Sequence, residues 1–312
     1  MSIGVLVMAY GGPDNLDEVE PYLLDVRGYR PTAPAIIQEV RERYQLIGGR
    51  SPILERTQAQ ADALQSALNS ASQPGMYRVY VGMRHWKPYI PDTLAEMGRD
   101  GVQHVVGLVM APHASRMSTG AYYKKVFAAA EPLDVQVIKQ WHLLPGYLDS
   151  LESRVRDALL RFPVEIRSRV PVVFTAHSLP MRILSWNDPY PRQLGETVAA
   201  LAARLAPQPY RFAYQSAAMT PDPWLGPDAG EIIDQIAREG GQHVLIAPIG
   251  FVCEHVEILY DIDVVFKAQA QGLGMHLERI EMLNDAPQMI AGLANLVHRR
   301  ALKAGWVPER VV

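Results

Sequence analysis

The sequence predicts an α/β protein made of two similar domains, each a parallel sheet flanked by helices. Three observations carry this expectation. Short continuous apolar runs alternate with helical stretches along the chain, as strands buried on both faces require. The length, 312 residues, suits two domains of ordinary size. A segment also recurs: Arg99-Asp100-Gly101-Val102-Gln103-His104-Val105 matches Arg238-Glu239-Gly240-Gly241-Gln242-His243-Val244, and each copy leads through an apolar strand to Ala-Pro.

In the first half, Ile3 to Met8 is a continuous apolar strand that ends in the turn Ala9-Tyr10-Gly11-Gly12-Pro13. Asp17 to Val26 reads as a helix, and Arg27 to Pro31 as a loop. Pro34 to Ile47 reads as a second helix, stopped by Gly48-Gly49. Ser51 as N-cap and Pro52 at the first helical position open a third helix that runs to about Ser70. Tyr77 to Val81 is a strand leading into Gly82-Met83-Arg84-His85-Trp86. After a helix over Asp92 to Arg99, the strand Val105 to Met110 ends in Ala111-Pro112-His113. A helix over Ser118 to Ala130 and a strand over Val135 to Gln140 complete this half.

The second half begins with a helix over Tyr147 to Arg161. Val172-Val173-Phe174-Thr175 is a β-branched apolar strand that stops at Ala176-His177-Ser178 and is closed by Pro180. Leu194 to Leu205 is a helix, and Arg211 to Tyr214 a strand ending in Gln215-Ser216. A proline-rich loop from Thr220 to Pro227 leads to a helix over Ala229 to Glu239. Val244 to Ala247 is the next strand, ending in Pro248-Ile249-Gly250-Phe251. A helix from near Glu254, a strand over Gly274 to Ile280 and a closing helix over Ala286 to Ala304 follow. The expected domains are 1–145 and 146–312, with the closing helix free to return to the first. Two such domains would enclose a cleft at the carboxyl ends of their strands, where ligands gather in open α/β sheets.

Composition excludes several classes. Hydrophobic residues make up 48% and charged residues 20%, so a core forms readily. The net charge is -3, from 30 basic and 33 acidic residues, and no Lys/Arg run marks a nucleic-acid footprint. One cysteine, Cys253, excludes an internal disulfide, an iron–sulfur cluster or a cysteine-rich zinc site built from this chain alone. A reducing, cytoplasmic compartment is the expectation. The apolar amino terminus lacks a basic lead, and the longest apolar run, Val244 to Cys253, is interrupted by Pro248 and Gly250. Neither is long enough to span a bilayer, and a soluble protein is expected. Tyr10-Gly11-Gly12-Pro13 lacks the spacing of a dinucleotide fingerprint, and there is no P-loop.

The residues that could carry chemistry stand mostly at strand ends. His177 is either a satisfied core histidine or a functional one. Glu257, between Val256 and Ile258, should be half buried and therefore in need of a partner. On a helix, Glu254, Glu257 and Asp261 at i, i+3 and i+7 would share one face, and carboxylates beside a histidine suit a divalent cation. Glu254 by itself would only complement a helix dipole. Tyr10 could ligate iron, hydrogen-bond a ligand or simply pack. Arg27, Arg30, Arg43 and Arg84 are candidates for binding carboxylates. His85 and His113 stand at strand ends, whereas His104 and His243 stand at strand starts and read as structural. Trp186 with the apolar residues of 180–184 forms either a cleft lip or a loop packed on its own domain.

Several stretches together resemble the ferrochelatases. They are Leu6 to Gly11; Arg43-Tyr44 with Ile47 to Pro52; Ala176 to Pro180; Thr220 to Pro227; and Gly250-Phe251-Val252 with Glu257 to Asp261. The resemblance covers nearly the whole chain. It implies two Rossmann-like domains of chelatase type around a porphyrin cleft, and insertion of ferrous iron into a porphyrin. The family's catalytic and metal-site histidine and glutamate fall on His177 and Glu257. A tyrosine at position 10 is similar to the coproporphyrin-using bacterial enzymes, in which it is an axial ligand to the product iron; the product would then be Fe-coproporphyrin III. The family's porphyrin contacts fall on Tyr10, Arg27, Arg43, Tyr44, Ser51 and Tyr122. Iron is a substrate here; no tightly bound cofactor and no iron–sulfur cluster is expected. One departure stands out. Relatives continue the acidic row by another helical turn, where this chain has Val265, with Asp261 and Asp263 as the nearest substitutes. The expected partners are porphyrin and ferrous iron, with no nucleic acid. The chain is expected to be a monomer, with at most transient contact with neighbouring haem-pathway enzymes. The competing readings are a protoporphyrin IX ferrochelatase, a sirohydrochlorin chelatase and a non-catalytic porphyrin or haem carrier.

Overall fold

The computed structural model describes residues 2–71, 75–218, 220 and 222–308. The chain divides into two compact units, Met1–Gly146 with Asn284–Val312, and Tyr147–Leu283. Pro221 of the proline-rich loop lies outside the described residues.

The first unit runs β1 (Ile3–Ala9), α1 (Val19–Val26), α2 (Pro34–Leu46), α3 (Ile53–Ala71), β2 (Tyr77–Met83), α4 (Ile90–Arg99), β3 (His104–Val109), α5 (Thr119–Ala129) and β4 (Asp134–Ile138). All strand pairs are parallel, in the order β2-β1-β3-β4. Strand β1 is buried along its length, which explains its unbroken apolar run. Its Leu6 and Met8 join Ile90, Leu94 and Met97 of α4 and Val126 of α5 in one core. Helix α3 covers the other face, against β1 and β2.

Helix α6 (Pro145–Leu159) begins at the boundary. The second unit continues with α7 (Val164–Arg167), β5 (Val172–His177), α8 (Tyr190–Leu205), β6 (Tyr210–Gln215), α9 (Ala229–Arg238), β7 (His243–Pro248), α10 (Val256–Leu259), a π-helical segment (Asp261–Phe266), α11 (Lys267–Gly272) and β8 (His276–Arg279). Its sheet repeats the first, parallel throughout in the order β6-β5-β7-β8. Val173, Val244 and Ile246 of the sheet pack with Ile233 and Ile236 of α9, Ile258, and Ile262 and Phe266 of the π segment.

The recurring sequence segment closes a helix in the same way twice. Gly101 (φ 78°) and Gly240 (φ 85°) take the left-handed conformation after α4 and α9. Val102 N–H then returns to the Met97 carbonyl at 3.0 Å, and Gly241 N–H to that of Ile236 at 2.9 Å. The next strand starts at His104 or His243.

Helix α12 (Pro287–Lys303) packs on α3, β3 and β4, the return to the first domain that the sequence left open, and the second unit ends at Leu283. One expectation needs correcting. The helix expected from near Glu254 begins at Val256. Its N-cap, His255, is extended (φ -163°), which leaves Glu254 outside the helix. After Leu259 the winding widens to π geometry, so Glu254, Glu257 and Asp261 do not follow the predicted i, i+3, i+7 face. Among the described residues, no helix is long and apolar enough to cross a membrane.

Candidate active site

In both sheets the chain reverses direction beside its first strand, between β1 and β3 and between β5 and β7. Ligands bind at such reversals, beyond the carboxyl ends of the strands. Tyr10 directly follows β1, and His177 is the last residue of β5.

Around Tyr10 the backbone continues the β1–β2 pairing past the sheet. Arg84 N–H donates to the Ala9 carbonyl at 2.9 Å, and His85 N–H to that of Tyr10 at 2.9 Å. Both side chains are thereby set beside the phenol ring. The Arg84 guanidinium lies 5.6 Å from the Tyr10 ring centre and 5.4 Å from that of Tyr122. The His85 ring is 4.7 Å from that of Tyr10. His85 Nδ1 is 2.7 Å from Asp25 Oδ1. Burial lowers the His85 pKa by more than the Asp25 carboxylate raises it. Lys125 Nζ donates to the Arg84 carbonyl, and burial lowers the lysine's pKa too. Arg84, one of four arginine candidates in the sequence, thus lies near both Tyr10 and Tyr122, and the His85–Asp25 pair escaped sequence reading because its partners are 60 residues apart.

The remaining predicted porphyrin contacts lie on the α1–α3 segment. Ser51 is buried, its N–H donating to the Pro13 carbonyl at 2.8 Å. A side chain at position 12 would meet Ser51 Cβ at 2.5 Å, so glycine there is what lets this loop close on the β1 exit. Tyr44 is buried. Arg43 is half-buried and ion-paired with Glu39, and Arg27 is exposed.

In the second unit the motifs around His177 and Trp224 form one structure. Leu225 N–H donates to the Leu179 carbonyl at 2.9 Å, and Ser178 Oγ to the Leu225 carbonyl at 2.8 Å. His177 Nδ1 donates to the Ser178 carbonyl, which leaves the ring's lone pair on Nε2. Phe251 bridges the histidines, with ring centres 6.3 Å from His177 and 4.6 Å from His255. Glu257 is half-buried, as its flanking residues predicted, and its partner is His255, with Nε2 3.2 Å from Oε2. Asp261 accepts from Ser216 Oγ. Asp263 is gripped by Arg279 through two bonds of 2.8 Å. Val265, on the same π segment, is exposed.

The sequence profile of the ferrochelatase family matches residues 2–301. The chain belongs to the ferrochelatase family. It is 42% identical over 297 residues to a ferrochelatase of Herpetosiphon aurantiacus, covering 94% of this chain and 97% of that protein. It is 37% identical over 306 residues to a coproporphyrin III ferrochelatase of Geobacillus kaustophilus, covering 97% of each. Among solved structures, SirB from Bacillus subtilis with Fe3+ superimposes with a TM-score of 0.60 at 10% identity, covering 98% of each chain, a likeness of fold. The protein is thus an enzyme, a metal chelatase of haem biosynthesis and a lyase, and the carrier reading gives way.

Within this ferrochelatase, sequence reading passed over Gln215 and Tyr190. Tyr190 Oη donates to the His177 carbonyl, and Gln215 is fully buried beside that strand. A signal for Gln215 existed: a polar amide closing a buried strand needs partners supplied by the fold.

Proposed function

We propose that this ferrochelatase inserts ferrous iron into coproporphyrin III and releases Fe-coproporphyrin III. The observation that carries the choice of porphyrin is Tyr10, at the exit of β1 with Arg84 and His85 against its ring. Relatives named as coproporphyrin III ferrochelatases support the same choice. Arg27, Arg43, Tyr44, Ser51 and Tyr122 supply cations and hydroxyls for the four carboxylates of this porphyrin; Arg43 would exchange Glu39 for substrate.

Metalation replaces two pyrrole N–H protons with one ferrous ion and releases two protons. A base and a metal ligand are needed at the porphyrin face. His177, with its lone pair on Nε2, and the half-buried carboxylate of Glu257 divide these roles. Binding the macrocycle better when bent than when flat would expose its nitrogen lone pairs and lower the barrier. Tyr10 would take the axial position on the product iron. Ferrous iron enters as substrate, and no tightly bound cofactor is part of the proposal. A single cysteine, Cys253, buried and in no disulfide, suits the reducing cytoplasm in which the enzyme would work as a monomer.

The test is anaerobic ferrous-iron insertion followed by visible absorbance, with coproporphyrin III and protoporphyrin IX run in parallel. Turnover of coproporphyrin III with little of protoporphyrin IX is expected. The reverse preference would overturn the choice of porphyrin. In the same assay, His177→Ala and Glu257→Ala should lose metalation while still binding porphyrin.

A further inference from the structure

We infer that Gln215 is a positioning residue for metalation: its buried amide ties the strand end that carries His177 to the helix that carries Glu257. The inference rests on the reading of His177 and Glu257 as the reacting pair.

Gln215 is the β6 residue in register with His177, and its carbonyl accepts the Ser178 N–H at 2.8 Å. Its backbone therefore extends the sheet past the histidine. Its side chain is 0% exposed and spans to the other partner. Nε2 donates to the backbone carbonyl of Glu257 at 2.9 Å. Oε1 accepts from Thr175 Oγ1 at 2.7 Å, and Thr175 is likewise 0% exposed. One amide thus joins residues 42 apart in sequence and the strand two residues before His177.

The chemistry fixes its orientation. A flipped amide would set Oε1 against the Glu257 carbonyl, two acceptors with no proton between them. The Glu257 carbonyl requires Nε2, so Oε1 faces Thr175 and the threonine hydroxyl must donate. With both side chains 0% exposed, bulk solvent does not reach either contact, and each constrains the other. The next residue adds a second tie: Ser216, with φ 61°, donates to Asp261 on the following turn. Helix α10 has only four residues, so its placement depends on such outside contacts.

Positioning predicts a defect in metal handling and none in porphyrin binding. Two threonine variants test this while leaving the glutamine in place. Thr175→Val keeps the shape and removes the donor; Thr175→Ser keeps the donor. Gln215→Met removes the amide at similar volume. Steady-state rates would be measured on the full chain with ferrous iron varied at saturating porphyrin and the reverse, alongside Glu257→Ala and thermal melts. We expect Thr175→Val and Gln215→Met to lower kcat/KM for iron by about tenfold, the scale of one hydrogen bond. KM for porphyrin should stay within about twofold, and Thr175→Ser should be close to wild type. Wild-type iron kinetics in both Thr175→Val and Gln215→Met, with Glu257→Ala inactive, would overturn the positioning role alone. So would equal losses toward iron and porphyrin that follow the melting temperature. An active Glu257→Ala would instead remove the reading of the site on which the inference rests. Should Gln215→Met not fold, the two threonine variants decide the matter by themselves.

Discussion

The phenolic hydroxyl of Tyr190 donates to the backbone carbonyl of His177 at 2.9 Å. Tyr190 opens helix α8, where Asp188 Oδ1 accepts its N–H at 3.0 Å, and its ring is buried. Burial pushes its pKa well up, so the hydroxyl remains a donor throughout the working range of pH. Tyr190→Phe keeps the packing and removes one bond at the strand end. A loss of about 1 kcal/mol in stability is expected. Metalation should slow severalfold as His177 gains freedom. A urea titration beside a rate assay checks both; an unchanged midpoint and an unchanged rate would leave Tyr190 as packing only.

Glycine at position 250 is required by the distance between two strand exits. An added Cβ would lie 2.7 Å from Ala176 Cβ and 2.9 Å from Ala176 Cα. Gly250 N–H also donates to the Thr175 carbonyl at 3.1 Å, so the segment cannot withdraw freely. Gly250→Ala should destabilise by about 1–3 kcal/mol, as overpacking does. It should also cut turnover, because Phe251 next door touches the His177 ring. Gly195, in the middle of α8 with open space around it, is the matched control. Gly195→Ala should stabilise by about 0.5–1 kcal/mol with unchanged turnover. Equal midpoints for the two variants would contradict the steric argument.

Most of the architecture could be read from period and punctuation. Strand β1, buried on both faces, has the unbroken apolar run that such burial demands, and the matched segments ending at Val105 and Val244 announced a duplicated topology. The His177 strand end and the half-burial of Glu257 were legible for the same reason: local pattern decides them. What could not be read depends on contacts between distant residues. The start of α10 moved to Val256 because His255 is extended, which no local propensity requires. Asp263 looked available from spacing but is held by Arg279, 16 residues on. The placing of α12 in the first unit follows from its packing on α3, β3 and β4, which its own amphipathic pattern could not specify.

His113, at the exit of β3, is buried, and burial with the neighbouring His142 lowers its pKa to about 3. An unfolded histidine titrates near pH 6.5. Between these values the unfolded chain holds a proton that the folded chain lacks, so stability falls as pH falls, by up to about 1.4 kcal/mol per pH unit from this group. Above about pH 6.5 this group adds no pH dependence. Urea midpoints between pH 7.5 and 5 should therefore fall less steeply in His113→Asn, by about one proton, than in wild type. Parallel slopes would mean that His113 takes up its proton without unfolding.

The phenol oxygen of Tyr10 can be separated from the ring that holds it. The ring is packed by His85 at 4.7 Å and by the Arg84 guanidinium at 5.6 Å. Tyr10→Phe preserves both contacts and removes only the oxygen. Folding should change little, because the residue is only half-buried and its ring contacts are kept. If the phenol is the axial ligand of the product iron, the oxidised product complex of wild type should show a phenolate-to-iron absorption band that is absent in Tyr10→Phe. The variant should also release product at a different rate, since one bond to iron has gone, while its KM for porphyrin stays within about threefold. Absorption spectra of the two product complexes, recorded after one turnover and exposure to air, make the comparison. Identical spectra would show that Tyr10 acts by packing alone, and the preference for coproporphyrin III would then have to come from the carboxylate contacts of Arg27, Arg43 and their neighbours.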